Sequence, residues 1–251
     1  MYKINVIIPV LYHDELTDLC LKSLVDKHDL SICDFEIIII NNECDIKTSN
    51  LIKKYSKTLH IKEIKNEKNT GVSASWNIGI RESNYDHIAI INNDIEFGFD
   101  NSLYKMADTL NQNSNIYWTS PITYYNKNQK TITSFQITHY EQLKYGSKGN
   151  SYVVGCCFMC PAKSFKDIGL FDEKMHMKYY EDLDYINRIL QVRKKVKMTT
   201  NAAVYHAVGS TSRFVKGGEN NENYYKYKWG NSQFDILKLQ GPRIKGAKHF
   251  S

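Results

Sequence analysis

The fold is decided by the stretch His87-Ile88-Ala89-Ile90-Ile91-Asn92-Asn93-Asp94-Ile95-Glu96. Its first half is a short apolar run rich in isoleucine, which predicts a strand buried on both faces. Two amides and a carboxylate follow at the point where this strand should end. Open α/β sheets bind their ligands at the carboxyl ends of the strands, and the oxygens of an Asn-x-Asp pair suit a hard cation. The same triplet is also ordinary turn chemistry, so its meaning depends on the rest of the chain.

Two earlier stretches repeat this arrangement. Residues 4–10 form an apolar run with Pro9 at its exit, and residues 34–43 form a second run that ends in Asn41-Asn42. A helical pattern follows each run, so we predict an α/β fold with a mostly parallel, Rossmann-like sheet flanked by helices. The strand exits should line one edge of the sheet, with the segment Asn69–Asn77 beside them, and should outline a nucleotide pocket.

Two classes of nucleotide enzyme are disfavoured. Neither GxGxxG nor GxxxxGK[ST] occurs at the first strand–helix turn. These glycine patterns hold the phosphates in dinucleotide dehydrogenases and in P-loop enzymes. We therefore expect neither kind of enzyme.

The composition is typical of a folded domain. The chain has 251 residues, of which 42% are hydrophobic and 24% charged, and a formal net charge of +6. It lacks a dense basic patch interleaved with aromatics, so we expect no nucleic-acid partner. Because it contains neither a signal peptide nor an apolar run of bilayer length, we expect a cytoplasmic protein with at most peripheral membrane contact. The six cysteines should be reduced, and Cys157-x-x-Cys160 is interpreted as strand packing rather than a metal site.

Carboxylates open a predicted helix at Tyr180–Val192. Asp184 and Arg188 lie one turn apart, which favours an ordinary ion pair. Asp182 shares the buried face of this helix, where a carboxylate is costly unless something uses it. From the spacing alone, helix capping and catalysis explain Glu181 and Asp182 equally well.

A histidine stands at the exit of a later strand. Residues 196–205 predict this strand, which ends at His206 and continues into a hydroxyl-rich loop that reaches Arg213. An imidazole and a guanidinium in this arrangement could bind a metal and a diphosphate together. A lone histidine is more often an ordinary surface or core residue.

Taken in order, these motifs resemble family 2 glycosyltransferases of the GT-A fold, especially the rhamnosyltransferase-like branch. The resemblance runs from about residue 4 to about residue 213. The motifs are Ile8-Pro9-Val10, Ile39-Ile40-Asn41-Asn42, Asn69-Thr70-Gly71 with Asn77-x-Gly79, Ile91-Asn92-Asn93-Asp94, Gly155 with Gly169-Leu170-Phe171-Asp172-Glu173, Tyr180-Glu181-Asp182-x-Asp184 with Arg188, and Val204-Tyr205-His206.

The resemblance implies a site for Mn²⁺ or Mg²⁺. Asp94 matches the second aspartate of the family's DxD motif, Asn92 replaces the first, and His206 would be a further ligand. Because Asn92 is neutral, metal binding would be weaker than usual and more dependent on the bound diphosphate.

The resemblance also implies a binding site for the donor nucleotide. Asn42 stands where an aspartate is usual, which leaves the base open, and Trp76 replaces an arginine that is common in the family. Arg213 is the candidate to supply the missing phosphate contact. The implied donor residues are Pro9, Asn42, Asn69, Gly71, Asn92, Asn93, Asp94 and Arg213.

The activity implied is that of an inverting glycosyltransferase, with Asp182 as catalytic base and Glu181 as runner-up. A sugar, rhamnose being one candidate, would move from a UDP- or dTDP-sugar to a hydroxyl of a glycan, lipid-linked or protein-linked acceptor. A metal stabilises the leaving diphosphate and one carboxylate deprotonates the acceptor, whereas hydrolases use a flanking carboxylate pair.

Two alternatives stay open. A nucleotidyltransferase also couples a nucleotide pocket to a cation, but it should carry a basic glycine-rich loop after the first strand, and none is present. A catalytically silent nucleotide- or sugar-binding module is favoured by the departures at Asn42, Trp76 and Asn92.

We predict one GT-A domain over residues 1–215, with a nucleotide-sugar half at about 1–98 and an acceptor half at about 99–215. The aromatic stretch Tyr117–Tyr145 should shape the acceptor side. Residues 216–251 should form a C-terminal extension, whose basic residues could touch a membrane surface.

Overall fold

The computed structural model describes residues 1–43, 45–126, 155–207 and 215–230, and the backbone of 135–136. The helices are α1 (Asp14–Asp26), α2 (Ile46–Tyr55), α3 (Val72–Arg81), α4 (Ser102–Asn111), α5 (Ala162–Ile168), α6 (Glu181–Gln191) and α7 (Asn221–Trp229). The strands are β1 (Tyr2–Val10), β2 (Cys33–Asn42), β3 (Ile61–Asn66), β4 (His87–Ile91), β5 (Ile95–Phe97), β6 (Ile116–Asn126), β7 (Phe135–Gln136), β8 (Cys157–Pro161) and β9 (Lys195–His206).

These strands form one sheet, in the order β3-β2-β1-β4-β8-β6-β9-β5, with β7 paired to β6. The strands β3, β2, β1 and β4 are all parallel, which confirms the predicted strand–helix units. The second half is mixed, because β8 runs antiparallel to both β4 and β6, and β9 is parallel to β6. Two reversals return β6 and β9 to the direction of β4. The carboxyl ends of β1, β2, β4 and β9 therefore meet at one edge.

Each face of the sheet carries its own apolar core. In β2, Ile37 and Ile39 pack on one face while Ile38 and Ile40 pack on the other, all fully buried. A strand covered on both faces needs a continuous apolar run, and this is the pattern in the sequence. Cys157 and Cys160 belong to opposite cores, so they pack as predicted and face away from each other.

Two local expectations differ from the structure. The spacing of Leu16, Leu19, Cys20 and Leu24 predicts one amphipathic helix, but Leu19 is 48% exposed and α1 buries Cys20, Leu21 and Leu24 instead. Tyr117 and Trp118 lie in the core rather than on an acceptor surface. The ring of Trp118 stacks on Phe158 at 3.7 Å between centroids. Most of the predicted aromatic stretch beyond residue 124 lies outside the described residues.

Part of the predicted C-terminal extension packs against the fold. Helix α7 buries Asn221, Tyr225 and Trp229, and Tyr225 and Trp229 form a small core with Met175 and Leu183. Residues 231–251, with the basic residues of the tail, lie outside the described part of the chain. Across the described residues, none of the helices combines the length and the apolarity needed to cross a membrane.

Candidate active site

The ends of β4 and β9 bring Asp94 and His206 together. Ile95 of β5 pairs directly with His206 of β9, and the Ala207 N–H donates to the Asp94 carbonyl at 3.0 Å. The His206 Nε2 consequently lies 3.2 Å from the Asp94 Oδ1, with both side chains largely buried. A carboxylate and an imidazole separated by 112 residues in sequence thus face each other at the predicted edge.

The electrostatics of this pair favour positive charge. Burial by itself lowers the pKa of the His206 imidazole. Cys156 and the Asp94 carboxylate outweigh this effect and hold that pKa well above its ordinary value. The negative charge of Asp94 therefore favours a positively charged group beside it, and a metal ion held by His206 would take the place of the proton on the ring nitrogen.

The start of β8 lies next to this pair. The Asn92 N–H donates to the Cys156 carbonyl at 2.8 Å, which fixes the exit of β4 against the Gly155-Cys156 turn. The Cys20 thiol lies beneath the same exit, with its Sγ 3.7 Å from the Asn92 carbonyl oxygen. The backbone of Cys156 is therefore bonded directly to the exit of β4, two residues before Asp94.

Asp182 approaches the same turn from the other side. The Gly155 and Leu183 N–H groups both donate to its carboxylate, the latter at 2.8 Å. A Cβ atom on Gly155 would lie 2.7 Å from the Asp182 Oδ2, so only glycine leaves room for the carboxylate there. The two predicted groups, the Asp94–His206 pair and Asp182, are thus joined by two consecutive residues of backbone.

Glu181 stands beside Asp182 at the first position of α6. It is only 8% exposed, and its Oε2 has no hydrogen-bond partner among the described residues. Burial, reinforced by the Asp182 charge, raises the pKa of Glu181. Burial also raises the pKa of Asp182, in spite of the N–H groups that stabilise its anion. Desolvation is thus the larger effect on the pKa of Asp182, and the N–H groups at this helix end are the smaller one.

The residues that the sequence predicts to bind the donor nucleotide form a second group along the same edge. Pro9 is partly exposed near the end of β1, in register with Ile40 of β2. Asn42, at the end of β2, is buried and uses both ends of its amide within the protein. Its Nδ2 donates to Ser75 Oγ at 2.9 Å and its Oδ1 accepts from Asn66 Nδ2 at 2.9 Å. These bonds tie the end of β2 to α3 and to β3. The contact of Asn42 with the nucleotide stays a prediction.

The segment Asn69–Val72 forms a tight turn before α3. The Asn69 Oδ1 accepts from the Gly71 N–H at 2.9 Å, and Gly71 adopts a left-handed φ of 83°. A Cβ on Gly71 would lie 2.9 Å from the backbone of Met177, whose carbonyl accepts from the Val72 N–H. The predicted donor loop is thus held against the segment that leads into α6.

Three further predicted residues have different surroundings. Asn93 donates its amide to Thr17 Oγ1 at 2.9 Å, which ties the β4 exit to α1. Trp76 is 1% exposed and packs edge-on against Phe158 and Phe171, so it is a core residue where the family commonly has an arginine. Arg213 lies outside the described residues. Gly155 belongs to the sequence motifs but is given no role at the site there, although a glycine beside a buried strand signals a close approach.

The residues present fit a divalent cation that would take some of its ligands from the protein and the others from a bound substrate. Asp94 and His206 supply an oxygen and a nitrogen donor, and Asn92 makes no side-chain hydrogen bond to another described residue. Within the described ranges, no three His, Cys, Asp or Glu side chains come together as a ligand set. A site of this kind is open, and it leaves coordination positions for a diphosphate.

Comparison with solved structures establishes the fold. A mannosyltransferase from Pyrobaculum calidifontis in complex with GDP-Man and Mn²⁺ superposes with a TM-score of 0.69 at 12% identity, over 97% of this chain and 66% of the other. GalNAc-T7 with UDP, GalNAc and Mn²⁺ superposes with a TM-score of 0.66 at 14% identity, over 94% of this chain and 50% of the other. The chain thus spans two thirds of their length or less, and its fold is that of the GT-A glycosyltransferases.

Comparison of sequences establishes the family. An uncharacterized glycosyltransferase of Rickettsia typhi is 24% identical over 241 residues, which cover 85% of this chain and 67% of that protein. The profile of the family described as Glycosyl transferase family 2 matches residues 5–169. This match includes the strand exits at Pro9, Asn42 and Asp94 together with the Gly155-Cys156 turn. With most of the chain inside the matched range, the protein belongs to glycosyl transferase family 2.

Proposed function

We propose that the chain is a metal-assisted, inverting glycosyltransferase that moves a sugar from a nucleoside diphosphate to an acceptor hydroxyl. The observation that carries the proposal is the meeting of the Asp94–His206 pair and the Asp182 carboxylate at the Gly155-Cys156 turn. One side of this turn can hold the diphosphate end of a donor, and the other can receive the proton of an acceptor.

Asp182 is proposed as the catalytic base. Its raised pKa makes the carboxylate a better proton acceptor than an exposed aspartate. A base must lie within hydrogen-bond reach of the hydroxyl that it deprotonates. The N–H groups of Gly155 and Leu183 meet part of this requirement, because they hold the carboxylate in one position. One base that acts opposite the leaving group leads to inversion at the anomeric carbon, with no covalent intermediate.

Glu181, the neighbour of Asp182, supports an enzyme rather than a binding module. Its buried and unpartnered Oε2 is costly for the fold, and strongly perturbed carboxyl groups concentrate at functional sites. A catalytically silent binding module gains nothing from two desolvated carboxyl groups side by side. Their presence supports an enzyme over such a module.

Asp94 and His206, with Asn92 beside them, would hold Mn²⁺ or Mg²⁺. When bound, the cation supplies positive charge that stabilises the departing diphosphate. The Asp94–His206 geometry, with the β4 exit fixed to Cys156, orients these side chains before a donor arrives. The Mn²⁺ complexes of the two similar structures support a divalent metal.

The donor that we propose is a UDP- or dTDP-sugar, with rhamnose as one candidate sugar. The acceptor would be a hydroxyl of a glycan or of a lipid- or protein-linked glycoconjugate. The similar structures hold GDP-Man and UDP with GalNAc respectively, which supports a nucleoside-diphosphate donor as a class.

The donor site is tested by thermal unfolding with UDP, dTDP, GDP and CDP, each with and without Mn²⁺. A ligand that binds the folded state alone raises the Tm by an amount that grows with its concentration over Kd. We expect one nucleotide to raise the Tm in a Mn²⁺-dependent way, and Asp94→Ala to abolish the shift. Absence of any shift in a folded sample would refute the donor site.

The catalytic assignment is tested with Asp182→Asn, which removes the base and keeps the shape of the side chain. We expect loss of sugar transfer with nucleotide binding retained. Asp26→Asn, the same chemical change at an exposed position on α1, is the matched control and should transfer sugar like the wild type. Equal transfer by Asp182→Asn would exclude Asp182 as the base.

A further inference from the structure

Helix α7 is polar, yet it is anchored by buried side chains. Asn221 and Trp229 are each 3% exposed and Tyr225 is fully buried, although the helix carries charged or polar residues at most of its other positions. The Tyr225 hydroxyl accepts from Asn187 Nδ2 of α6 at 2.7 Å. The helix is therefore attached through specific polar contacts, some of them to α6 and others to the segment that precedes α6.

The centre of these contacts is the fully buried Asp184 of α6. Its Oδ1 accepts from Trp229 Nε1 at 2.9 Å and lies 2.7 Å from Lys228 Nζ. Its Oδ2 lies 3.1 Å from Arg188 Nε, which confirms the predicted ion pair. A buried carboxylate needs this degree of pairing to be tolerated, and two of the three groups come from α7.

Lys228 also ties down the segment that precedes α6. Its Nζ donates to Asp172 Oδ2 at 2.8 Å, and the Tyr224 hydroxyl donates to the same oxygen at 3.0 Å. One ammonium group thus bridges Asp172, in the segment before α6, and Asp184, in the first turn of α6. A change at Lys228 releases both ends of this connection.

The backbone between these points is strained. Met177, Tyr179 and Tyr180 all have positive φ, between 63° and 74°, which residues other than glycine adopt only when their surroundings enforce it. Asn221 provides this enforcement, because its Nδ2 donates to the carbonyls of His176 and Lys178, each at 2.8 Å. Tyr180 gives α6 no side-chain cap, and Asn221 of α7 holds the segment that leads into its first turn.

We propose that Lys228 and Trp229 are positioning residues, which act through Asp184 to fix the first turn of α6 and with it the Glu181–Asp182 carboxyl pair. This inference rests on the proposed function. Both carboxyl groups lie within three residues of Asp184, and the Asp182 carboxylate must fit the narrow space beside Gly155. A displacement of about 1 Å at a reacting group lowers turnover by roughly 100-fold.

The test uses the full chain and steady-state kinetics with donor and acceptor varied separately. Trp229→Phe keeps a ring but removes the donor to Asp184, Lys228→Gln removes the bridging charge, and Lys228→Arg restores it. Lys226→Gln is the matched control, because this exposed lysine pairs only with Glu222 on the surface of α7 among the described contacts. All variants are assayed at a temperature at which each is shown to be folded.

We expect Trp229→Phe and Lys228→Gln to lower kcat by about 10-fold or more, with the donor KM within about twofold of wild type. Lys228→Arg should recover most of the lost kcat, and Lys226→Gln should match the wild type. A purely structural role would lower the Tm without changing the kcat of the folded enzyme. If Lys228→Gln does not fold, Trp229→Phe decides the question by the same comparison.

The two proposals fail in different ways. If the wild-type chain transfers no sugar from any donor, the proposed function is wrong and this inference falls with it. If the wild type transfers sugar and the folded Trp229→Phe variant has the kcat of Lys226→Gln, the positioning role alone is overturned.

Discussion

Gly155→Ala tests the candidate site most directly, because it places one methyl group beside Asp182. The added Cβ would lie 2.7 Å from the Asp182 Oδ2 and 2.8 Å from its Cβ, where ordinary contacts begin at 3.4 Å. Rotation of the side chain can move the Oδ2 but not the Cβ. The first turn of α6, or the Gly155 turn itself, must therefore move by about 0.6 Å, the difference between the 2.8 Å to the Asp182 Cβ and 3.4 Å.

The size of the effect follows from this displacement. Overpacking of a well-packed position costs about 1–3 kcal/mol of stability. Since a displacement of about 1 Å at a reacting group lowers turnover by roughly 100-fold, a shift of about 0.6 Å should lower kcat by about 10- to 100-fold. The donor site, on the other side of the turn, should keep its affinity for the nucleotide to within a few-fold.

The assay is kcat and donor KM of the folded variant, with nucleotide binding followed by thermal shift. Gly169→Ala is the control, because its φ of 91° makes alanine unfavourable while the nearest neighbour of an added Cβ is an Arg188 nitrogen at 3.9 Å. It should lose a similar amount of stability and keep its kcat. A folded Gly155→Ala enzyme with wild-type kcat would refute the placement of Asp182 as the base.

Three further outcomes follow from buried groups. Burial lowers the pKa of His28 to about 4 from 6.5, so the folded state binds fewer protons than the unfolded state below pH 6.5. We expect urea denaturation to show that the free energy of unfolding falls by an amount on the order of 3 kcal/mol between pH 7 and pH 4. The His28→Gln variant should lack this decrease. Glu181→Gln should raise the Tm, increasingly so as the pH rises above about 4.5, because the raised pKa means that ionisation of Glu181 destabilises the fold. An equal Tm difference at pH 5 and pH 8 would contradict this. A thiol reagent followed by peptide mapping should label the buried cysteines only after denaturation; these are Cys20, Cys33, Cys156, Cys157 and Cys160.

The sequence predicted the half of the fold whose signals are local. Continuous isoleucine-rich runs at β1, β2 and β4, each followed by a helical pattern or polar exit, specify parallel strands covered on both faces. The position of Asp94 at a carboxyl edge follows from that topology alone. The Asp184–Arg188 pair was equally accessible, because one helical turn fixes the spacing of its members.

The tertiary structure alone decided how distant segments combine. His206 reaches Asp94 because two antiparallel steps through β8 return β9 to the direction of β4, and no local periodicity encodes such a path. The tight fit of Gly155 against Asp182, and the attachment of Lys228 and Trp229 to Asp184, depend on contacts between residues 27 to 45 positions apart. Hydrophobic periodicity specifies which face of an element is buried, whereas the partner of a buried polar group depends on where the whole chain places a second one.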